Sequence, residues 1–176
     1  PNGEKIYPNK GTPQGGILSP LLSNIVLNEL DWWVSSQWED IPTHTVIKEG
    51  TAKNGTPNRS NKCRTLRRSN LKEMYIVRYA DDFRIFCRKR SDAVKTYHAV
   101  KQWLAERLKL QVSEEKSKVV NLKKNYSEFL GFKLKAVPRG DKYIVRSHMC
   151  DKAVQNTTKR LKAQIDYIQH PVNRKE

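Results

Sequence analysis

The sequence predicts an α+β domain in which antiparallel hairpins alternate with amphipathic helices. Two observations carry this expectation. Residues Met74 to Cys87 form two runs of strand-forming residues, free of Gly and Pro, on either side of the adjacent pair Asp81-Asp82. Around that hairpin lie three stretches whose apolar residues recur at helical spacing: 19–31, 91–110 and 149–168.

Taken in order, residues 1–10 are polar and carry Pro1, Gly3 and Pro8, as expected of a connection or short hairpin. Gly11, Gly15 and Gly16 then make a loop that other chains can approach closely. Ser19-Pro20 reads as a helix start, with Ser19 as the cap and Pro20 in the first turn. Leu18, Leu21, Leu22, Ile25, Leu30 and Trp33 supply the apolar stripe of that helix through Asp31 or beyond. A glycine loop leading into a helix N-terminus offers backbone donors to an anion; a plain core helix with a flexible lead-in fits the same residues. Residues 41–47 suit a short strand.

Between Lys48 and Asn70 seven Lys or Arg stand against one Glu, with almost nothing apolar, so a loop or loosely ordered hairpin is expected. Such a run is often only a solvated face, but here Arg64, Arg67 and Arg68 are candidates for phosphate contact. Beyond the 74–87 hairpin, Ser91 is a cap candidate for a helix reaching about Leu110, with Val94, Tyr97, Val100, Leu104 and Leu108 inside. Residues 110–120 read as strand, polar turn, strand. Phe129 to Leu134 reads as a further strand, paired with Lys142 to Arg146 across the turn-rich 138–141. A last helix is expected from about Met149, with Val154, Leu161, Ile165 and Ile168 as its stripe, ending before Pro171.

Charge narrows the function. The chain has 176 residues, enough for a real core, and 34 Lys and Arg against 18 Asp and Glu, a formal charge of +16. That excess favours a polyanionic partner through counterion release from phosphates. Apolar content is only 37%, but four Trp, seven Tyr and four Phe supply bulk for a core. The three cysteines, Cys63, Cys87 and Cys150, have neither metal-ligand spacing nor an even count for disulfides, as expected of a reducing compartment. Nothing resembles a signal peptide, and no apolar run approaches the ~20 residues needed to span a bilayer. A cytoplasmic protein of bacterial type is expected, an organellar setting being the alternative, with no membrane partner. The chain starts at Pro1 rather than Met and is expected to be a fragment.

Asp81-Asp82 is the chemical focus. Asp is a good turn residue, and an isolated pair is usually no more than that. Two neighbouring carboxylates also repel unless a positive charge joins them, and Mg²⁺ suits one or two protein carboxylates plus phosphate oxygens.

Four motifs in one order decide between these readings. They are Gly11-Thr12-Pro13-Gln14-Gly15-Gly16-Ile17-Leu18-Ser19-Pro20-Leu21-Leu22-Ser23-Asn24, then Tyr79-Ala80-Asp81-Asp82, then Ser113-Glu114-Glu115-Lys116-Ser117-Lys118, then Phe129-Leu130-Gly131-Phe132. The set resembles the palm of reverse transcriptases, and the run through Asn28-Glu29-Leu30-Asp31 looks most like the group II intron-encoded, maturase-type branch. The resemblance implies a partial palm over 1–147, an antiparallel sheet packed on helices with a basic insertion at about 48–70, and the start of a helical thumb over 148–176. It implies an RNA-directed DNA polymerase that extends a DNA or RNA primer on an RNA template with deoxynucleotides and two Mg²⁺ ions. Its own intron RNA is a further implied partner, and a splicing factor whose polymerase role is secondary or lost is the alternative.

Carried over residue by residue, the resemblance gives Asp81 as metal ligand and Asp82 as its supporting neighbour. Tyr79 and Ala80 would border the primer end and nucleotide, and Gln14 and Gly15 the nucleotide and template pocket. Lys116, ahead of Lys118, would face the leaving pyrophosphate, although either also suits an exposed turn. Phe129, Leu130 and Gly131 would form the primer grip. The family's further metal-binding Asp, on a strand before the glycine loop, has no counterpart among Asp31, Asp40, Asp92, Asp141, Asp151 and Asp166. The chain is therefore expected to hold part of a metal site and to be inactive by itself.

Overall fold

The computed structural model describes residues 18–43 and 50–170. The glycine loop with Gln14 and Gly15, and positions 44–47 of the expected first strand, lie outside the described residues; 41–43 carry no strand. The chain divides into two compact units, Pro1–Val119 and Val120–Glu176.

The first unit is built on helix α1, Ser19–Ser36. Leu18 is already helical (φ −83°, ψ −15°) and holds the cap position, so Ser19 falls inside the first turn and no side chain caps the helix. This corrects the expected Ser19 cap. Leu27, Leu30 and Val34, spaced three and four apart, are the buried residues of the helix. Of the expected stripe only Leu30 is fully buried, with Trp33 packed at the core edge. Leu18, Leu21, Leu22 and Ile25 are exposed. Trp33 stacks on Trp103 with ring centroids 5.1 Å apart, and Trp38, just past the helix, is buried. Burying Leu30 and Val34 contributes roughly 1.5–3 kcal/mol each.

The basic segment is more ordered than its composition suggests. Strands β1 (Gly50–Thr51) and β2 (Pro57–Asn58) pair across a turn in which Gly55 takes φ +79°. Helix α2, Ser60–Leu66, follows, and Leu66 is buried in the same core as α1. One apolar anchor at the end of a polar helix turns the expected loop into a packed element.

Strands β3 (Met74–Tyr79) and β4 (Asp82–Cys87) form the expected hairpin, in register from Met74↔Cys87 to Tyr79↔Asp82. Alternation puts Met74, Ile76, Arg78, Phe83, Ile85 and Cys87 on one face and Tyr75, Val77, Tyr79, Asp82, Arg84 and Phe86 on the other. Helix α1 packs on β3, and helix α3 (Arg90–Arg107) on β4. Lys89 rather than Ser91 holds the α3 cap position, without a side-chain cap bond. Thr96, Val100 and Leu104 are its buried residues, while Val94 is exposed. Thr96 lies inside because its hydroxyl meets the Cys87 sulfur at 3.8 Å; burial pushes the Cys87 thiol pKa up.

Residues 110–120 form no strands. The stretch is extended chain around an exposed turn at 114–116, closed by Ser117 N–H to the Ser113 carbonyl at 3.0 Å. Val112 packs on the core and Lys101 pairs with Glu114, so side chains hold this segment where a β-ladder was expected.

The second unit is a meander of β5 (Ser127–Phe129), β6 (Phe132–Arg139) and β7 (Lys142–Met149), followed by helix α4 (Asp151–Gln169). The expected single strand Phe129 to Leu134 is split by a two-residue turn, with Leu130 at φ +51° and Gly131 at φ +78°. Two consecutive positive φ values match the right-handed twist of the flanking strands. Pairing of β6 with β7 runs from Phe132↔Met149 to Arg139↔Lys142, longer than expected. Helix α4 starts at Asp151, and Cys150 N–H donates to the Gly131 carbonyl at 2.8 Å. Val154, Leu161, Ile165 and Ile168 are exposed.

Candidate active site

The Asp81-Asp82 pair sits at the tip of the β3–β4 hairpin. Tyr79 pairs with Asp82, leaving Ala80 and Asp81 as the two turn residues. Ala80 has φ +53°, the left-handed region that costs an L-residue roughly 1–2 kcal/mol. Asp81 and Asp82 are both exposed, and Tyr79 beside them is 66% exposed. On the second face of the hairpin Tyr75 packs on the core, while Val77, Tyr79 and Phe86 are exposed.

What holds this strained turn is Arg78. Its Nε lies 3.0 Å from both Asp31 carboxylate oxygens, and its Nη2 donates to Asp31 Oδ2 at 2.7 Å. Its Nη1 donates to Asn24 Oδ1 and to the Ala80 carbonyl, each at 2.8 Å. Asn24 and Asp31 lie two turns apart on one side of α1 and bracket the guanidinium. The Arg78 side chain is only 11% exposed. A charge-assisted fork of this kind is strong and directional. Asp31 lies within α1, and its carboxylate is taken up by Arg78.

A second network fixes the other end of β3. Glu73 takes two hydrogen bonds from Arg67, at 2.9 and 2.6 Å, and Arg88 stands 3.5 Å away. The Tyr75 hydroxyl donates to Glu73 at 3.2 Å and accepts from the Trp38 indole N–H at 3.1 Å. The Arg67 hydrogen bond, against some burial, holds the Glu73 carboxyl below its usual pKa; burial pushes the Tyr75 phenol up.

Arg67 is therefore engaged with Glu73, yet it also lines a shallow concavity together with Arg59, Ser60, Cys63, Arg64 and Arg68. Lys116 is exposed on the 114–116 turn. Phe129, Leu130 and Gly131 belong to the second unit, at its β5–β6 turn. In that unit the β6–β7 register sets Lys133, Lys135 and Arg139 opposite His148, Arg146 and Lys142 on one sheet face. Tyr126 stands against His148 at 5.1 Å between ring centroids, and Lys135 lies 5.0 Å from its ring. Sequence reasoning missed Arg78, Asn24, Arg59 and this sheet face; the basic residues at 133, 135 and 139, all at even spacing, were the available signal for the last.

Two exposed carboxylates on one tight turn are hard oxygen donors of the kind Mg²⁺ accepts while keeping water or phosphate for its other ligands. Among the described residues no third His, Cys, Asp or Glu joins them in a metal-binding cluster. The pair suits a metal shared with a phosphate substrate better than a closed protein cage.

Comparison with known proteins agrees with this chemistry. The family model for reverse transcriptase (RNA-dependent DNA polymerase) matches residues 1–134. The group II intron-encoded protein LtrA of Lactococcus lactis subsp. cremoris is 30% identical over 156 residues, covering 71% of this chain and 26% of that protein. The putative COX1/OXI3 intron 2 protein of Saccharomyces cerevisiae is 27% identical over 171 residues, covering 78% of this chain and 20% of the relative. Protein YkfC of Escherichia coli is 29% identical over 134 residues, covering 72% of this chain and 32% of the relative. The chain thus spans between a fifth and a third of the length of these relatives. With the hairpin, its paired aspartates and these matches together, the chain belongs to the reverse transcriptase family, on the side that includes group II intron-encoded proteins.

Proposed function

We propose that this chain is the C-terminal part of the palm and the start of the thumb of an RNA-directed DNA polymerase of a group II intron-type retroelement. The palm portion corresponds to residues 1–147 and the thumb portion to 148–176. The observation that carries the reading is the Tyr79-Ala80-Asp81-Asp82 turn: two exposed carboxylates on a strained tip, braced from below by Arg78.

Asp81 is the principal metal ligand and Asp82 its neighbour. Together they would hold Mg²⁺, which would supply charge stabilisation to the attacking and leaving oxygens when a nucleotide is transferred to the primer end. Tyr79 and Ala80 border that end and the incoming nucleotide, with Gln14 and Gly15 beside the template. Phe129, Leu130 and Gly131 grip the primer strand. Lys116 carries positive charge to the leaving pyrophosphate or gives it a proton. The family's further metal-binding Asp, on a strand ahead of the glycine loop, has no counterpart in this sequence, so the 176-residue chain alone is expected to show negligible primer extension.

A second reading, RNA binding in service of splicing, is favoured by the arginines around α2 and the basic β6–β7 face. The two readings separate in the full-length protein. Asp81→Asn with Asp82→Asn is expected to abolish cDNA synthesis and leave splicing of the intron RNA intact. Undiminished cDNA synthesis would overturn the polymerase assignment; joint loss with retained folding would tie the turn to splicing as well.

A further inference from the structure

We infer that Arg78 is a positioning residue for polymerisation, setting where the Tyr79–Asp82 turn presents its carboxylates. The inference rests on the polymerase reading and adds a residue that the reading does not require.

Three observations combine. The turn holds Ala80 at φ +53°, a backbone region that L-residues rarely adopt, and a side chain of the preceding strand makes a contact to it. The contact comes from one guanidinium, whose Nη1 reaches the Ala80 carbonyl at 2.8 Å. That guanidinium is itself fixed by Asp31 and Asn24 on α1, a helix anchored through Leu27, Leu30 and Val34. The turn is thereby referenced to the core of its unit, not merely to its own two strands. Arg78 also has its charge matched by Asp31, so it can sit one residue from Tyr79 and leave Asp81 and Asp82 negative toward a metal. Lysine cannot reproduce this arrangement, because a single ammonium cannot make the fork to Asp31 and reach both Asn24 and the Ala80 carbonyl in fixed directions.

The test uses the full-length protein with a primed RNA template, deoxynucleotides and MgCl₂, measuring kcat per folded molecule below the melting temperature. Misplacement of reacting groups by about 1 Å lowers rates by about 100-fold, and a loss of that order is expected for Arg78→Ala. The Mg²⁺ concentration for half-maximal activity should rise, while affinity for the primed template stays as in the parent. Arg78→Lys should recover most of the thermal stability and little of kcat, a split that a purely structural role would not produce. Asn24→Ala, at an exposed position, should lower kcat several-fold without changing Tm.

Full activity of Arg78→Ala overturns the inference. Should Arg78→Ala fail to fold, Arg78→Lys and Asn24→Ala decide the matter: parental kcat in both overturns it, and reduced kcat with parental Tm supports it. Asp81→Asn run in parallel keeps the outcomes apart, since activity surviving that change refutes the polymerase reading itself.

Discussion

Replacing Ala80 with glycine isolates the strain at the tip of the hairpin. The left-handed backbone at Ala80, φ +53°, costs roughly 1–2 kcal/mol for a residue with a Cβ and almost nothing for glycine. Glycine also loses more freedom on folding, which offsets roughly 0.5–1 kcal/mol of that relief. Ala80→Gly should therefore stabilise the protein by about 0.5–1 kcal/mol, read as a rise in urea midpoint at constant slope. Two other positions test the same arithmetic away from the site. Leu130 (φ +51°) and Lys109 (φ +56°) share the left-handed backbone, and Leu130→Gly and Lys109→Gly should stabilise by similar amounts. The difference should appear in activity of the full-length protein: Ala80→Gly lowers kcat because a looser turn no longer holds its carboxylates in place, whereas Lys109→Gly leaves kcat unchanged. A destabilised Ala80→Gly variant, with the other two stabilised, would refute the reasoning about strain at this turn.

Leu30→Ala, which empties a fully buried position in the first unit, should cost about 2–5 kcal/mol by chemical denaturation. Glu73 supplies a pH dependence: its folded pKa is lowered, so its stabilising effect is complete above the ordinary value of 4.5 and is lost as pH falls through the folded value. Melting curves from pH 7 down to the acid limit should show that component vanish in Glu73→Gln. Arg64→Ala with Arg68→Ala should weaken RNA binding and flatten its salt dependence, by roughly 0.7–0.9 in slope for each phosphate left without its cation. Arg67→Ala should instead lower thermal stability, because it removes the main partner of Glu73.

Elements with a strong period or a clear pairing were legible in the sequence. The 74–87 hairpin has uninterrupted strand formers, and the long helices and the 132–149 pairing follow from apolar spacing and a turn-rich link. Helix α2 was not legible because its residues are mostly polar or basic, and its place depends on one side chain, Leu66. The turn at Leu130-Gly131 was hidden because leucine does not advertise a positive φ. Residues 110–120 alternate enough to suggest strands, but no partner ladder forms among the described residues. In the site, the aspartates were visible as a motif. The brace beneath them was not, because Arg78 and Asp31 are 47 positions apart and only the packing of α1 on β3 joins them.

The measurement closest to the central claim is primer extension on an RNA template by the full-length protein carrying Asp81→Asn, with Asp82→Asn and Asp141→Asn beside it. Asp81→Asn is expected to lower the rate by at least about 100-fold, the scale on which removing one preorganised charge-stabilising group acts. Asp82→Asn should lose less, and Asp141→Asn, on the exposed β6–β7 turn, should be fully active. A folded Asp81→Asn protein that extends the primer at the parental rate would contradict the assignment of this turn to the polymerase metals.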